Sequence, residues 1–264
     1  MIRFVCLIVF SLLATFAQAE TLRMAVTTSF HNSGLSDVLL PQIKRDTGVD
    51  VRLVVVGTGQ ALKLARAGDV DAILVHSKTA EEAFIAEGFA PYRRKIMYND
   101  FVLVGPADDP ADTQYASSVE QALQQIAKAE AIFLSRGDDS GTHRKELSLW
   151  EAAGVSARDP SWYREGGSGM GATLNTGAAM DAYLLSDRAS WLKFANKRNL
   201  RLLYAGDPAL FNQYAFLPIS PAKHSHANAV AARGVEAWLT GPKGQQAIAD
   251  YRLNGEALFT PNAR

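Results

Sequence analysis

Short apolar strands alternate with helical segments along almost the whole chain, and this alternation restricts the fold more than any other feature of the sequence. It is typical of α/β proteins, in which helices cover both faces of parallel sheets. The predicted strands are Leu22–Thr28, Val49–Val56, Ala72–Val75, Phe101–Val104, Ala131–Leu134, Tyr183–Leu185 and Leu200–Tyr204. The predicted helices are Ser36–Asp46, Gly59–Ala67, Ala80–Ala86, Val119–Ala129, Thr142–Ala153, Gly171–Asn175, Trp191–Asn196, His226–Leu239 and Pro242–Tyr251.

Residues 1–19, MIRFVCLIVFSLLATFAQA, have the pattern of a cleaved secretory signal peptide, with one basic residue, an apolar core and a small-x-small end. The apolar run is shorter than the ~20 residues of a membrane-spanning helix, which disfavours an anchor. The chain's one cysteine, Cys6, lies in this segment and is not preceded by the small residues of a lipoprotein cleavage site. We therefore expect an exported protein that begins at Glu20 and has neither a disulfide nor a thiolate metal site.

The charge balance excludes several kinds of partner. Removal of the leader leaves 264 − 19 = 245 residues with 27 − 1 = 26 basic and 27 acidic side chains, so the net charge is about −1. Nucleic acids and anionic membranes attract clusters of basic residues, and this balance gives no sign of them.

The length of the chain and its 48% hydrophobic residues favour ordinary packed cores, which we expect in two lobes. There is no repeat and no Ser/Gly/Pro-rich linker, so short extended strands would join the lobes, with Val102–Pro106 and Ala205–Tyr214 as candidates. The predicted division is a leader at 1–19, lobe 1 at 20–103 and 212–264, and lobe 2 at 104–211.

Four clusters of hydroxyl-bearing residues and glycine lie where predicted strands end or helices begin. Ligands of open α/β sheets bind at this edge. Helix N-termini carry unsatisfied N–H groups and the positive end of the helix dipole, so four of them together would form an anion site. Each cluster taken alone is explained by ordinary helix capping. The clusters are Thr27–Gly34 (TTSFHNSG), Gly57–Gln60 (GTGQ), Ser135–Thr142 (SRGDDSGT) and Gly166–Asn175 (GGSGMGATLN).

Arg136 is the strongest candidate for contacting an anion, because its planar guanidinium can bind two oxygens at once. A salt bridge to Asp138 or Asp139 is the structural alternative, and both hold together if a carboxylate orients the guanidinium from behind. The two aspartates precede a predicted helix, where carboxylates cap N–H groups. Facing the ligand, they would repel a dianion unless it carried a proton, which separates phosphate from sulfate, molybdate and tungstate.

A hydrolase is the alternative from a different class. GDDSG is similar to the GDSG sequence of trypsin-like proteases, with Ser140 as nucleophile, but those proteases are all-β and usually disulfide-bonded. The chain lacks G-x-S-x-G, and GTGQALKL lacks the GK[ST] ending of a phosphate-binding loop.

The histidines do not indicate a metal site. His224 and His226 form the one close pair, in a predicted surface loop without a nearby carboxylate. His143 is expected to pack or to form a hydrogen bond in the first turn of a helix. His31 either lines the cleft or is solvated.

Seven stretches together resemble the periplasmic tungstate-binding proteins of ABC importers, over Leu22 to Pro261. SRGDDSGTH, GTGQALKL and GDPxLFN are specific in combination, and none is specific alone. The matching stretches are VTTSFHNSGLSD (Val26–Asp37), VVVGTGQALKL (Val54–Leu64), GDVDAILVH (Gly68–His76), MYNDFVLVGP (Met97–Pro106), SRGDDSGTHRKEL (Ser135–Leu147), GMGATLN (Gly169–Asn175) and GDPALFNQY (Gly206–Tyr214).

The resemblance implies a two-lobed periplasmic-binding-protein fold of type II that closes around one tetrahedral oxyanion. The ligand would be tungstate, with molybdate as a second candidate, and the protein would deliver it to an ABC permease in the inner membrane. It implies a periplasmic monomer that is not an enzyme and needs no cofactor or metal. By motif, the residues that meet the oxyanion would be Thr27, Thr28, Ser29, Thr58, Arg136, Ser140, Gly141 and Thr142.

The first loop departs from the family's usual TTTS-Gln-Asp, because Val26 replaces the first threonine and Phe30, His31 and Asn32 follow the serine. This difference affects loop contacts and selectivity more than the fold. A phosphate or sulfate carrier is the alternative within the class, and phosphate would need an inward-facing acceptor such as Asp139. Tungstate and molybdate share charge and shape, so the sequence does not set the preference between them.

Overall fold

The computed structural model describes residues 20–138, 140–155 and 159–263. The expected leader and Asp139 lie outside the described residues. The strands are β1 (Thr21–Thr27), β2 (Asp50–Val56), β3 (Ala72–Val75), β4 (Arg94–Pro106), β5 (Phe133–Ser135), β6 (Tyr163–Glu165), β7 (Leu184–Asp187), β8 (Leu200–Tyr204), β9 (Phe211–Pro218), β10 (Arg252–Leu253), β11 (Glu256–Ala257) and β12 (Thr260–Pro261).

The helices alternate with the strands through most of the chain. Among the described residues, no helix has both the length and the apolar character needed to cross a membrane. The helices are α1 (Thr28–Ser33), α2 (Leu35–Thr47), α3 (Thr58–Ala67), α4 (Lys78–Ala86), α5 (Val119–Ala129), α6 (Gly141–Ala152), α7 (Met170–Met180), α8 (Arg188–Lys193), α9 (Ala229–Thr240) and α10 (Pro242–Asp250).

Apart from the short β10–β11 pair, the described strands form two sheets that share β4. The first sheet has the order β2-β1-β3-β9-β4-β12. In the second sheet β4 pairs with β7 and β8, and β5 pairs with β6. Backbone hydrogen bonds tie β5 to the start of β7, since Leu134 N–H donates to Tyr183 O (2.8 Å) and Tyr183 N–H donates to Ile132 O (2.8 Å).

The prediction of parallel sheets is wrong at the centre of the molecule. Strands β1, β2 and β3 run parallel to one another, and so do β5 and β6, but β9 is antiparallel to β3 and β4. Strand β4 is also antiparallel to β7 and β8. The reason is the path of the chain: it leaves the first sheet along β4 and returns along β9, so the returning strand runs in the opposite direction.

Strand β4 crosses from one sheet to the other without a break. Arg94–Asp100 pair with β9, whereas Phe101–Val104 pair with β7. The expectation of two short joining strands is therefore wrong for β4, which has 13 residues rather than the four predicted as strand. The second candidate joining segment, Ala205–Tyr214, contains a 3-10 turn at Pro208–Leu210 and the start of β9. The lobe boundaries at 103/104 and 211/212 remain a prediction.

Both faces of each sheet are covered, as the alternation of side chains along a strand requires. In β1, Met24 and Val26 pack into one hydrophobic cluster and Ala25 into another on the opposite face. In β4, Leu103 and Val104 separate in the same way into the two clusters of the second sheet. Each sheet therefore forms the middle layer of a three-layer α/β unit. The loops at the strand ends lie outside the apolar clusters, so they can contain polar residues.

Most element boundaries follow local capping chemistry. Helix α5 covers the predicted residues because Ser118 caps it, accepting a hydrogen bond from Gln121 N (3.2 Å). Helix α7 continues past its predicted end at Asn175 to Met180, through small residues that pack on β7. The sequence pattern did not predict α1, β6 or the part of β9 that follows Tyr214.

The close packing of α7 on β7 gives a test of the fold. A Cβ added to Gly177 would lie 2.2 Å from Leu184 Cδ2, whereas a Cβ added to Gly171 on the same helix would meet nothing within 4 Å. We expect Gly177→Ala to lower the free energy of unfolding by about 1–3 kcal/mol because of overpacking. Gly171→Ala should leave it unchanged or raise it by up to about 1 kcal/mol. Urea unfolding of both variants measures this, and equal effects would contradict the packing described.

Candidate anion-binding site

The loops after three neighbouring strands meet at one edge of the first sheet. Thr27, the last residue of β1, pairs with Val56, the last residue of β2. On the other side of β1, Val26 pairs with Leu74 of β3. The segments that begin at Thr28, Gly57 and His76 therefore start side by side. The expectation that the first two polar clusters lie together is confirmed.

Ser29, in the first turn of α1, is the centre of a hydrogen-bonded group. Its Oγ lies 3.0 Å from Thr27 Oγ1, 2.9 Å from the Tyr214 hydroxyl and 3.3 Å from His76 Nε2. Thr27 in turn caps α1 by accepting a hydrogen bond from Phe30 N (3.3 Å). These contacts bring the loop after β1, the residue after β3 and strand β9 into one group.

A buried carboxyl group supports the loop that carries Arg136. Glu146 of α6 accepts hydrogen bonds from Ser135 Oγ (2.7 Å), the Tyr163 hydroxyl (2.7 Å) and Trp150 Nε1 (3.2 Å). Burial raises the pKa of Glu146, and the hydrogen bonds from these groups act in the opposite direction. The Ser135 hydroxyl also accepts a hydrogen bond from Gly137 N (3.2 Å). Glu146 and Ser135 therefore fix the turn that contains Arg136.

Arg136 is paired with Asp138, as one of the two sequence-based alternatives predicted. Arg136 Nη2 donates to Asp138 Oδ2, and Asp138 Oδ1 accepts from Ser140 N (3.2 Å). Burial acts to raise the pKa of Asp138, but hydrogen bonds from Ser140 and Arg136 outweigh it, and the pKa lies below its ordinary value. The carboxylate therefore stays ionised and orients the guanidinium.

Two buried polar atoms beside these loops have no hydrogen-bond partner within the described part of the chain: Thr58 Oγ1 and Arg136 Nε. Each can donate a hydrogen bond. Gly57 precedes α3 and gives that helix no side-chain cap. Because buried donors without acceptors are costly, their presence here indicates a place for an acceptor-rich ligand.

The fourth polar cluster is tied to the Arg136 loop by its backbone. Gly166 N donates to Ser135 O (2.9 Å), and Ser168 N donates to Arg136 O (3.3 Å). Helix α7 then begins after Gly169, again without a side-chain cap. This cluster therefore lies next to the Arg136 loop, as the sequence predicted.

The two sheets' loops touch where His76 meets the start of α6. A Cβ added to Gly141 would lie 2.9 Å from His76 Cε1, so only a glycine fits against the ring in this arrangement. Ser140 caps the same helix by accepting from His143 N (3.2 Å). The Ser29 group and the start of α6 consequently face each other.

His76 and Tyr214, which lie at the junction, are neutral near pH 7. Burial lowers the pKa of His76 to about 4. Burial also raises the pKa of Tyr214 to about 12, against hydrogen bonds from Ser29 and Thr27 that lower it. With Arg136 cationic and Asp138 anionic, the site presents mainly neutral donors and one guanidinium.

Sequence patterns did not predict roles for His76, Tyr214 or Glu146. His76 directly follows β3, so the rule that ligands bind at the carboxyl ends of strands could have pointed to it. Tyr214 and Glu146 gave no comparable signal, since each lies inside an element whose pattern is apolar or amphipathic.

The remaining histidines occupy structural positions. His224 Nε2 lies 3.0 Å from Arg66 O and His226 Nε2 lies 2.8 Å from Gly68 O, both at the end of α3. His31 is exposed in the last turn of α1, and His143 lies in the first turn of α6. Within the described residues, no group of three or more His, Cys, Asp or Glu side chains is placed to hold a metal ion.

A groove of about 870 Å³ between α2 and α10 is a second concave surface, lined by residues such as Val38, Asp46 and Lys243. None of its lining residues belongs to the four polar clusters. Among the described residues that line it, none carries a buried polar atom without a partner. We therefore place the candidate site at the loops.

Comparison with known proteins identifies the family of the chain. A family model described as PBP superfamily domain matches residues 14–243. The tungstate-binding protein TupA of Peptoclostridium acidaminophilum is 43% identical over 244 residues, which cover 91% of this chain and 85% of the relative. The chain belongs to the PBP superfamily and, within it, to the family of the TupA proteins.

Solved structures extend the comparison to the fold. The tungstate-binding protein TupA from Desulfovibrio alaskensis G20 has a TM-score of 0.87 at 43% identity, covering 93% of this chain and 100% of that chain. A tungstate ABC transporter structure from Geobacter sulfurreducens has a TM-score of 0.79 at 44% identity, covering 88% and 99%. The family resemblance and the two-lobed α/β fold predicted from the sequence are confirmed.

The buried His76 makes stability depend on pH. Its pKa is about 4 in the folded protein, against about 6.5 for an unfolded chain. Below about pH 6.5 the unfolded state binds a proton that the folded state does not, so the free energy of unfolding falls as pH falls, by about 3 kcal/mol in total near pH 4. His76→Gln lacks this titration. Urea unfolding of both anion-free proteins at about pH 7, 5.5 and 4.5 should therefore show that the difference in free energy of unfolding between wild type and His76→Gln decreases as pH falls. A difference that stays constant with pH would contradict the lowered pKa of His76.

Proposed function

We propose that this protein binds tungstate, with molybdate as a second ligand, between its two lobes and delivers it to an ABC permease. The observation that carries the proposal is the pair of buried, unpartnered donors, Thr58 Oγ1 and Arg136 Nε, beside two helix N-termini that lack side-chain caps. A fully ionised tetrahedral oxyanion accepts hydrogen bonds and donates none, so it complements such a set. Relatives named as tungstate-binding proteins support this choice of anion.

The proposed ligand groups come from both sheets and are the eight residues of the sequence-based prediction. Capping does not remove a hydroxyl from this role, because the oxygen accepts the N–H hydrogen bond while its own proton can still be donated. This applies to Thr27 at α1 and to Ser140 at α6. The set is Thr27, Thr28, Ser29, Thr58, Arg136, Ser140, Gly141 and Thr142.

The proposal includes the molecular context. Residues 20–103 and 212–264 would form lobe 1 and residues 104–211 lobe 2, with closure bending β4 and the segment before β9. The protein would act in the periplasm as a monomer, after removal of residues 1–19, and would catalyse no reaction. Relatives that are parts of ABC transporters support the permease partner.

Two alternatives are less consistent with the described contacts. A phosphate carrier needs an acceptor facing the ligand. Asp139, the acceptor predicted for that role, lies outside the described residues, and its neighbour Asp138 is already engaged by Arg136 and Ser140. A serine hydrolase needs a base for Ser140; its capping partner is His143 N, a backbone group, and the lowered pKa of Asp138 makes that carboxylate a weak base.

Calorimetric titration of anion-stripped protein with tungstate, molybdate, sulfate and phosphate tests the proposal. We expect tight one-to-one binding of tungstate and weak or absent binding of phosphate and sulfate. Absence of tungstate binding, or turnover of an ester or peptide substrate that Ser140→Ala abolishes, would reject the carrier function.

Arg136→Ala should weaken tungstate binding on the order of 100-fold or more, because about two hydrogen bonds to a charged ligand are lost at ~1.5–3 kcal/mol each. Arg66→Ala is the matched control: it also removes an arginine paired with a carboxylate, Glu87, but at the opposite end of α3 from Thr58. The dissociation constant of the control should match wild type. Near-wild-type affinity of Arg136→Ala would remove Arg136 from the site.

Gly141→Ala tests whether the contact between His76 and α6 belongs to the bound state. The added methyl group would lie 2.9 Å from His76 Cε1 and hold the loops apart. Overpacking of this kind costs about 1–3 kcal/mol, so we expect tungstate affinity to fall about 5- to 150-fold. Gly234→Ala, in α9 outside the polar clusters, adds a methyl group that meets no atom within 4 Å and should bind as wild type does. Unchanged affinity of Gly141→Ala would mean that the contact is not needed for binding.

A further inference from the structure

Ser29 has more hydrogen-bonding neighbours than its single proton can serve. A serine hydroxyl has one proton to donate and two lone pairs to accept. Three protein atoms lie within hydrogen-bond distance of Ser29 Oγ: Thr27 Oγ1 at 3.0 Å, Tyr214 OH at 2.9 Å and His76 Nε2 at 3.3 Å. An oxyanion that contacts Ser29 becomes a fourth neighbour, and it can only accept.

The count restricts what the neighbours do when an anion is bound. Ser29 then donates its one proton to the anion and has two lone pairs for its three protein neighbours, so at most two of them can donate to it. Thr27, which accepts from Phe30 N and can donate its own proton to the anion, is the neighbour left unpaired with Ser29. Tyr214 is protonated, since burial raises its pKa to about 12, and its hydroxyl can donate into Ser29. His76 lies against the same oxygen with its ring packed on Tyr214, the two ring centroids being 4.9 Å apart. If Nε2 had no hydrogen, two lone pairs would face each other in a buried site.

We infer that His76 is a positioning residue that donates from Nε2 to Ser29 Oγ in the bound state, and that with Tyr214 it directs the Ser29 proton toward the oxyanion. This inference rests on the proposed function. His76 does not itself touch the anion in this scheme. It acts by donating a hydrogen bond to one lone pair of Ser29. Without that hydrogen bond the Ser29 hydroxyl could rotate.

The arrangement bears on selectivity. With Ser29 donating, its hydroxyl offers the ligand no acceptor. Hydrogen phosphate must place its proton on an acceptor, whereas tungstate, molybdate and sulfate need none. His76 and Tyr214 thus help to exclude protonated anions, although neither is part of the ligand shell.

The test is a double-mutant cycle on tungstate affinity, measured by calorimetry at about pH 7.5, where His76 is neutral. We expect His76→Leu to weaken binding about tenfold when Ser29 is present and less than about twofold in the Ser29→Ala background. His76→Gln, whose amide nitrogen can occupy the position of Nε2 and donate, should restore affinity to within about threefold of wild type. Tyr214→Phe should weaken binding in the same Ser29-dependent way.

Nitrogen-15 NMR of histidine-labelled protein gives a readout that a purely structural role would not produce. In the tungstate-bound wild type, His76 Nε2 should show the chemical shift of a protonated nitrogen. A bare Nε2, or equal effects of His76→Leu with and without Ser29, would overturn the inference. Thermal unfolding of each variant identifies any loss of folding. If His76→Leu fails to fold, the NMR spectrum of the wild type still tests whether His76 Nε2 is protonated. A wild type that binds no tungstate would reject the proposed function as well, whereas binding without coupling rejects only the role of His76.

Discussion

The backbone pairing of β4 is the constraint on which the rest of the molecule depends. One continuous strand pairs with β9 on the first sheet and with β7 and β8 on the second. The carboxyl ends of β1, β2 and β3 on one side and the end of β5 on the other are thereby directed toward a common space. The helices that follow these strands begin there, so the positive ends of several helix dipoles are brought together.

A site assembled from helix N-termini has donors in excess, and the protein deals with this excess in two ways. Ser140 and Thr27 cap their own helices, and Asp138 occupies one edge of the Arg136 guanidinium. Thr58 Oγ1 and Arg136 Nε are left without acceptors in the described chain. Glu146, buried behind the loop, accepts hydrogen bonds from Ser135, Trp150 and Tyr163. The carboxyl group thus orders the loop without placing negative charge where an anion would lie.

The sequence predicted the α/β class and the positions of the polar loops because both depend on local patterns. Helix α5 and strand β8 were predicted residue for residue, since capping by Ser118 and β-sheet periodicity are properties of neighbouring residues. The antiparallel course of β9 was not predicted, because Phe211–Pro218 gets its strand character from pairing with β3 and β4, which lie more than a hundred residues earlier in the chain. A pattern within one segment carries no information about such partners.

The same distinction separates the predicted site residues from those that were not predicted. The hydroxyl, glycine and arginine residues of the loops stand out by composition, and the structure brings these loops together. His76 and Tyr214 become relevant only through the contacts of Ser29. Their role depends on side chains that meet in space, and sequence spacing does not encode this.

The position of β9 also has a consequence for the order in which the protein can fold. It lies between β3 and β4, and it is the last long strand of the chain. All strands of the second sheet lie between Arg94 and Tyr204 and can pair as soon as that stretch has been synthesised. The first sheet stays divided, with β2, β1 and β3 apart from β4, until β9 has left the ribosome. The second sheet can therefore be complete on the nascent chain while the edge of β3 in the first sheet is still exposed. Insertion of β9 late in synthesis then joins β3 to β4.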